Sequence, residues 1–170
     1  MNAERIHIVQ GEHAVGMGEN TVITTLLGSC VACCMWDDAT GIGGMNHMLL
    51  AAGRAQSTVD ALADINEIET LINALTRLGA DRSRLKAKAF GGARMVSGLS
   101  DIGQQNSDFT LRYLAREGIE VVTQSLGGSH ARNIRFWPGS GRVMQRVSST
   151  KVREVETRVP RREGNDLELF

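Results

Sequence analysis

Outside positions 30 to 34 the chain has no cysteine, and three thiols packed into five residues cannot staple distant parts of a fold. It also carries no net charge: 19 lysines and arginines balance 19 aspartates and glutamates, which removes any bulk attraction to nucleic acid or an anionic membrane. Its longest apolar runs, near residues 22–27 and 45–52, fall far short of the ~20 that span a bilayer, so no membrane insertion is expected. The N-terminus MNAERIHIVQ has no signal-peptide core, and the expectation is a cytoplasmic protein with reduced thiols. Neither GxGxxG nor GxxxxGK[ST] occurs, and there is no second CxxC or paired-histidine motif to complete a zinc site. Neither a cofactor nor a metal is therefore expected.

The 170 residues that remain to be explained suit one domain, able to bury about two-thirds of its unfolded surface. Short β-branched segments at 5–9, 21–27, 31–36, 42–50, 85–90, 119–124, 133–137 and 142–148 predict a chain that is mostly sheet. Ile65, Ile68, Ile72 and Leu75 step by threes and fours toward Gly79, predicting one helix. A second is predicted over about 102–117, opened by Asp101 and Gln104 in capping-box spacing and stopped by Gly118. The predicted class is α/β (α+β), a layered mixed β-sheet core with two principal flanking helices. Residues 1–150 form its domain, and the charge-rich stretch 151–170 reads as a solvated tail. Glycine pairs at 43–44, 91–92 and 127–128 lie at strand ends and suggest tight turns or close backbone approach around a site.

Chemistry concentrates at Cys30, which follows Gly28 and Ser29 in a small-residue turn. A thiol attacks carbonyl carbon as the thiolate, so it needs a base at neutral pH. Of the histidines at 7, 13, 47 and 130, only His47 lies in a strand-like segment that one hairpin, turning at residues 37–41, returns beside Cys30. A hydroxyl on the neighbouring strand would fix the imidazole tautomer, and Thr24 or Thr25 fits that part. Backbone N–H groups of the Gly28, Ser29, Cys30 turn are candidates to hold an oxyanion. Cys33 and Cys34, in VACCMW, read as buried strand residues. Cys30 and Cys33 point to opposite faces of an extended strand, which opposes a shared metal or disulfide. Arg132 and Arg135 are candidates to meet acidic groups on a partner.

Five separated motifs, LGSCVA at 27–32, GGMNHMLL at 43–50, KAFGGARM at 88–95, IGQQN at 102–106 and LGGSHARNIRFWPGSGRV at 126–143, resemble the CheD family of chemoreceptor glutamine deamidases. The resemblance implies a cysteine-hydrolase-like fold and deamidation of glutamines on methyl-accepting chemotaxis receptors, with action on glutamyl methyl esters as a further possibility of the same chemistry. It places the nucleophile on Cys30, the histidine on His47 and the family threonine on Thr24. It also implies a CheC-type phosphatase as a partner, and with it an alternative in which the chain is chiefly a regulatory binding module. Ala51, where the family commonly has proline, and a loop at 52–57 without the usual aromatic residue depart from the pattern.

Overall fold

The computed structural model describes residues 2–50, 58–95, 101–148 and 167–170. Strands β1 (Glu4–His7), β2 (His13–Met17), β3 (Thr21–Leu27), β4 (Val31–Asp37) and β5 (Ile42–Asn46) precede helix α1 (Thr58–Leu78). Then follow β6 (Lys86–Gly91), helix α2 (Ile102–Arg116), β7 (Glu120–Leu126), β8 (Arg132–Trp137), β9 (Arg142–Val147) and β10 (Leu167–Leu169). They assemble two five-stranded sheets, ordered β1-β3-β8-β9-β10 and β2-β5-β4-β6-β7. Each contains one parallel pair, β1 with β3 and β6 with β7, so both are mixed. The predicted layered α+β architecture with two helices is what forms.

Alternation along β4 explains the layering. Ala32, Cys34 and Trp36 face one side, where they meet Ile23, Leu27, Ile134, Phe136 and Val143 of the first sheet. Val31, Cys33 and Met35 face the other, against Ile68, Leu71, Ile72 and Leu75 of α1 and Leu114 of α2. A strand whose two faces are both covered has no polar positions to spare, which is why VACCMWD is buried throughout. The order is therefore sheet, sheet, helices. Gly43 makes the inter-sheet approach possible, since a Cβ there would meet the Pro138 carbonyl oxygen at 2.6 Å.

The β4–β5 hairpin turns where the sequence indicates, with the Gly41 N–H donating to the Asp37 carbonyl at 2.9 Å and Gly41 at φ 66°. The buried Asp37 carboxylate accepts from Arg84 at 2.9 and 3.1 Å and from the Ala39 and Asp81 N–H groups at 3.0 Å, which together hold its pKa well below the carboxylate range. Asp101 caps α2 by accepting from the Gln104 N–H at 3.0 Å, as its spacing predicts.

Two strands escape the pattern. β2, in a stretch to which the sequence reading assigns no strand, pairs along β5 as an edge strand. β10 lies in the stretch expected to be a solvated tail, but pairs with β9, and Phe170 packs edge-on against Phe90 at 5.4 Å. The rest of that tail, through residue 166, lies outside the described residues, as do Ala51 and the loop at 52–57. No helix among the described residues is long and apolar enough to cross a membrane.

Candidate active site

Register brings Cys30 and His47 onto one face. Val31 and Met48 exchange backbone hydrogen bonds of 2.9 and 2.8 Å, continuing the pairing in which Cys34 lies opposite Met45. Cys30 then lies opposite Leu49, with His47 its diagonal neighbour, and such neighbours are about 7–8 Å apart, a span that a ring side chain covers. The faces agree independently. Cys30 packs in the inter-sheet core with Ala32 and Cys34, and His47 shares the alternation of Met45, which lies in the same core. Both are shielded, Cys30 at 8 % exposure and His47 at 6 %. The Cys30 thiol also reaches toward Gln10 Oε1, 3.9 Å away.

The third group comes from β3, where Ile23 and Leu27 point into the inter-sheet core and carry Thr25 with them. Thr25 Oγ1 lies 2.7 Å from His47 Nδ1 and donates to the Ile8 carbonyl at 2.8 Å. A threonine hydroxyl has one proton, and here the Ile8 carbonyl takes it, so the bond to the imidazole must run from Nδ1–H to the hydroxyl oxygen. The tautomer is thereby set: Nδ1 carries the proton and Nε2 keeps its lone pair. Burial, with His7 adding to the effect, holds the His47 pKa below its ordinary 6.5, against an opposing pull from Glu12. The ring is neutral at pH 7 and able to accept a proton.

Thr24, the position to which the resemblance assigns the family threonine, points the other way. Its hydroxyl pairs with His7 Nδ1 at 3.0 Å on the outer face of the first sheet. Adjacent residues of a strand face opposite sides, so only one of the two threonines can reach the imidazole, and it is Thr25.

The Gly28, Ser29, Cys30 turn is held by its carbonyls. Gly28 accepts from the Ala93 N–H at 3.0 Å, Ser29 from the Asn106 side-chain amide at 2.8 Å, and Cys30 from the Gly92 N–H at 2.8 Å. Close approach of residues 91–93 requires glycine: at Gly91, φ is 110° and a Cβ would drive into the Cys30 carbonyl. Gly127 and Gly128 brace the same loop through Gly127 N–H to Gly91 O at 2.9 Å and Arg94 N–H to Gly128 O at 2.8 Å. The paired glycines thus shape backbone around the thiol, the second of the two readings open to them.

Other candidates separate. Cys33 and Cys34 are fully buried, and desolvation pushes the Cys33 thiol up to about 12 and Cys34 well above the thiol range. Cys30 and Cys33 pack on opposite faces of the second sheet. Arg132, expected to be available to a partner, is 5 % exposed, and its guanidinium donates to the Ser125 and Gly127 carbonyls and to Ser125 Oγ. It ties β8 to β7 and is a structural residue. Arg135 does lie exposed, on the outer face. Asn106 and Gln10 are neighbours of the turn and the thiol that spacing alone does not single out.

Comparison with known proteins bears on the family of the chain. Residues 52–147 match the family model described as CheD chemotactic sensory transduction. A protein of Agrobacterium fabrum named probable chemoreceptor glutamine deamidase CheD is 44 % identical over 176 residues, 99 % of this chain and 97 % of its own length. One of the same name from Acidiphilium cryptum is 52 % identical over 84 % of this chain and 77 % of its own. Among solved structures, a Neisseria meningitidis protein at 11 % identity superposes with a TM-score of 0.49 over 82 % of this chain and 76 % of its own. With identity of this order extending over 97 % of the Agrobacterium protein, the chain belongs to the CheD family.

Proposed function

We propose that this chain is a protein-glutamine amidohydrolase acting on chemoreceptor glutamines, the activity its relatives are named for, with Cys30 as nucleophile and His47 as base. The observation that carries the mechanism is the ordered chain Ile8 carbonyl, Thr25 hydroxyl, His47 Nδ1, which leaves Nε2 unprotonated on a residue whose strand position shares a face with Cys30. Nε2 takes the Cys30 proton and the sulfur attacks the side-chain carbonyl carbon of glutamine. Charge develops on the carbonyl oxygen, toward which the N–H groups of the Gly28, Ser29, Cys30 turn are offered. The C–N bond then breaks as the imidazolium returns its proton to the nitrogen, releasing ammonia and leaving a thioester. Water, losing a proton to the same Nε2, attacks the thioester; the C–S bond breaks, the imidazolium returns that proton to sulfur, and the thiol is restored as the product glutamate leaves. A glutamyl methyl ester follows the same path with methanol as leaving group. Each step uses the chain's own side chains.

A module that only binds a CheC-type phosphatase would have no use for a buried hydroxyl and imidazole facing a thiol, so catalysis is the first reading. The site is shielded, which suits one glutamine side chain entering from a receptor helix. A cytoplasmic setting suits this reading, since cysteines that form no disulfide stay reduced there. Ammonia release from a receptor cytoplasmic fragment tests the proposal: the unaltered chain should release it and Cys30→Ala should not. An active Cys30→Ala variant would refute the assignment.

A further inference from the structure

The turn that carries Cys30 and the segment that carries His47 come from opposite sides of the β4–β5 hairpin, and one side chain from elsewhere touches both. Asn106, on α2 and 1 % exposed, donates through Nδ2 to the Ser29 carbonyl at 2.8 Å and accepts through Oδ1 from the Leu50 N–H at 3.3 Å. Its two partners fix its orientation, because a carbonyl can meet only the NH₂ end and an N–H only the oxygen. The helix is pressed onto the same loop: a Cβ at Gly103 would collide with the Gly92 and Ala93 carbonyls, and Gly92 N–H binds the Cys30 carbonyl.

The Ser29 carbonyl and the Cys30 N–H belong to one planar trans peptide and point in opposite directions. Whatever holds the carbonyl therefore aims the N–H. We propose that Asn106 is a positioning residue for acyl transfer, whose amide holds the Ser29–Cys30 peptide so that the Cys30 N–H meets the oxyanion formed when the sulfur attacks. The inference rests on Cys30 being the nucleophile of the proposed reaction. It assigns to α2 a part in the chemistry beyond covering the sheet.

Two reactions of one sulfur separate this role from simple support. Acylation of Cys30 by p-nitrophenyl acetate passes through an oxyanion, whereas alkylation by iodoacetamide displaces iodide with no oxyanion at all. Asn106→Ala removes both hydrogen bonds. Asn106→Asp keeps the shape and the acceptor for Leu50 but sets a carboxylate oxygen against the Ser29 carbonyl. In the full-length chain both variants should acylate roughly 10- to 100-fold more slowly while alkylating within about threefold of the unaltered protein, the range expected when an oxyanion donor is misaimed. If Asn106→Ala does not fold, Asn106→Asp alone decides. Acylation within about threefold of normal, equal loss of both reactions, or no p-nitrophenol burst from the unaltered chain would each overturn the inference. The receptor reading fails separately, if the unaltered chain acylates yet releases no ammonia from a receptor fragment.

Discussion

Thr25 Oγ1 stands 2.7 Å from His47 Nδ1 while spending its own proton on the Ile8 carbonyl. The proton of a buried imidazole is thus assigned by a main-chain carbonyl just past β1, one hydroxyl removed, and the catalytic reading depends on this relay.

Removing the hydroxyl should leave the ring free to rotate or to take the wrong tautomer. Thr25→Ala is expected to lower kcat for receptor deamidation by about 10²-fold, within the range that acid–base catalysis supplies. Thr25→Ser should retain most of it. Thr24→Ala, whose hydroxyl meets only His7, should stay near normal. Ammonia release by the three variants ranks the two threonines.

The depressed pKa of His47 has a sign in both activity and stability. The base works when neutral, so the acidic limb of kcat/KM should lie below pH 6.5, the ordinary histidine value. In the unfolded chain the same imidazole takes up a proton as pH falls through 6.5, while the folded one does so only at lower pH. Its contribution to stability is therefore complete above 6.5 and lost between that value and the lower folded pKa. Denaturant titrations at a series of pH values should show stability falling across this window, and His47→Gln should flatten that part of the curve.

Gly91 is the point where the loop behind the nucleophile touches it. Gly91→Ala must place a side chain at φ 110° and against the Cys30 carbonyl. The backbone alone costs about 1–3 kcal/mol. The thermal midpoint should fall, and the acylation rate with it, because the turn can relieve the clash only by moving the thiol. Gly18→Ala, at φ 67° with open space around it, should lower the midpoint without altering that rate.

Arg132 and Arg135 should behave as different kinds of residue. Arg132→Ala leaves the Ser125 and Gly127 carbonyls without their donor and should destabilise the fold by about 3 kcal/mol. Arg135→Ala should leave stability unchanged. Arg135 lines a cavity of about 250 Å³ with Arg5, His7 and Arg146 on the outer face. A salt-sensitive loss of receptor binding, if these arginines steer the substrate, should follow Arg135→Ala.

Much of this was legible because it is local. The turn at residues 37–41 and the small residues before Cys30 brought thiol and imidazole to one hairpin, and strand alternation from Cys30 into VACCMW separated Cys30 from Cys33. Choosing between Thr24 and Thr25 was not local. In TVITTLL both alternating sets carry apolar residues, Val22 and Leu26 against Ile23 and Leu27, so periodicity is silent about which faces inward until the second sheet is placed. Asn106 was equally hidden. It falls in a recognisable motif, but its partner carbonyl lies 77 residues away in sequence. Strands β2 and β10 are edge strands whose partners, not their composition, make them extended. Arg132 looked like a surface cation because arginine usually is one, and only the Ser125 and Gly127 carbonyls show otherwise.

The relay itself can be read by ¹⁵N NMR of the His47 ring in the intact chain at neutral pH. A proton on Nδ1 and a bare Nε2, exchanged for mixed tautomers in Thr25→Val, is the result predicted here. A proton found on Nε2, or on both nitrogens, would contradict it, since His47 would then have no lone pair to offer the thiol.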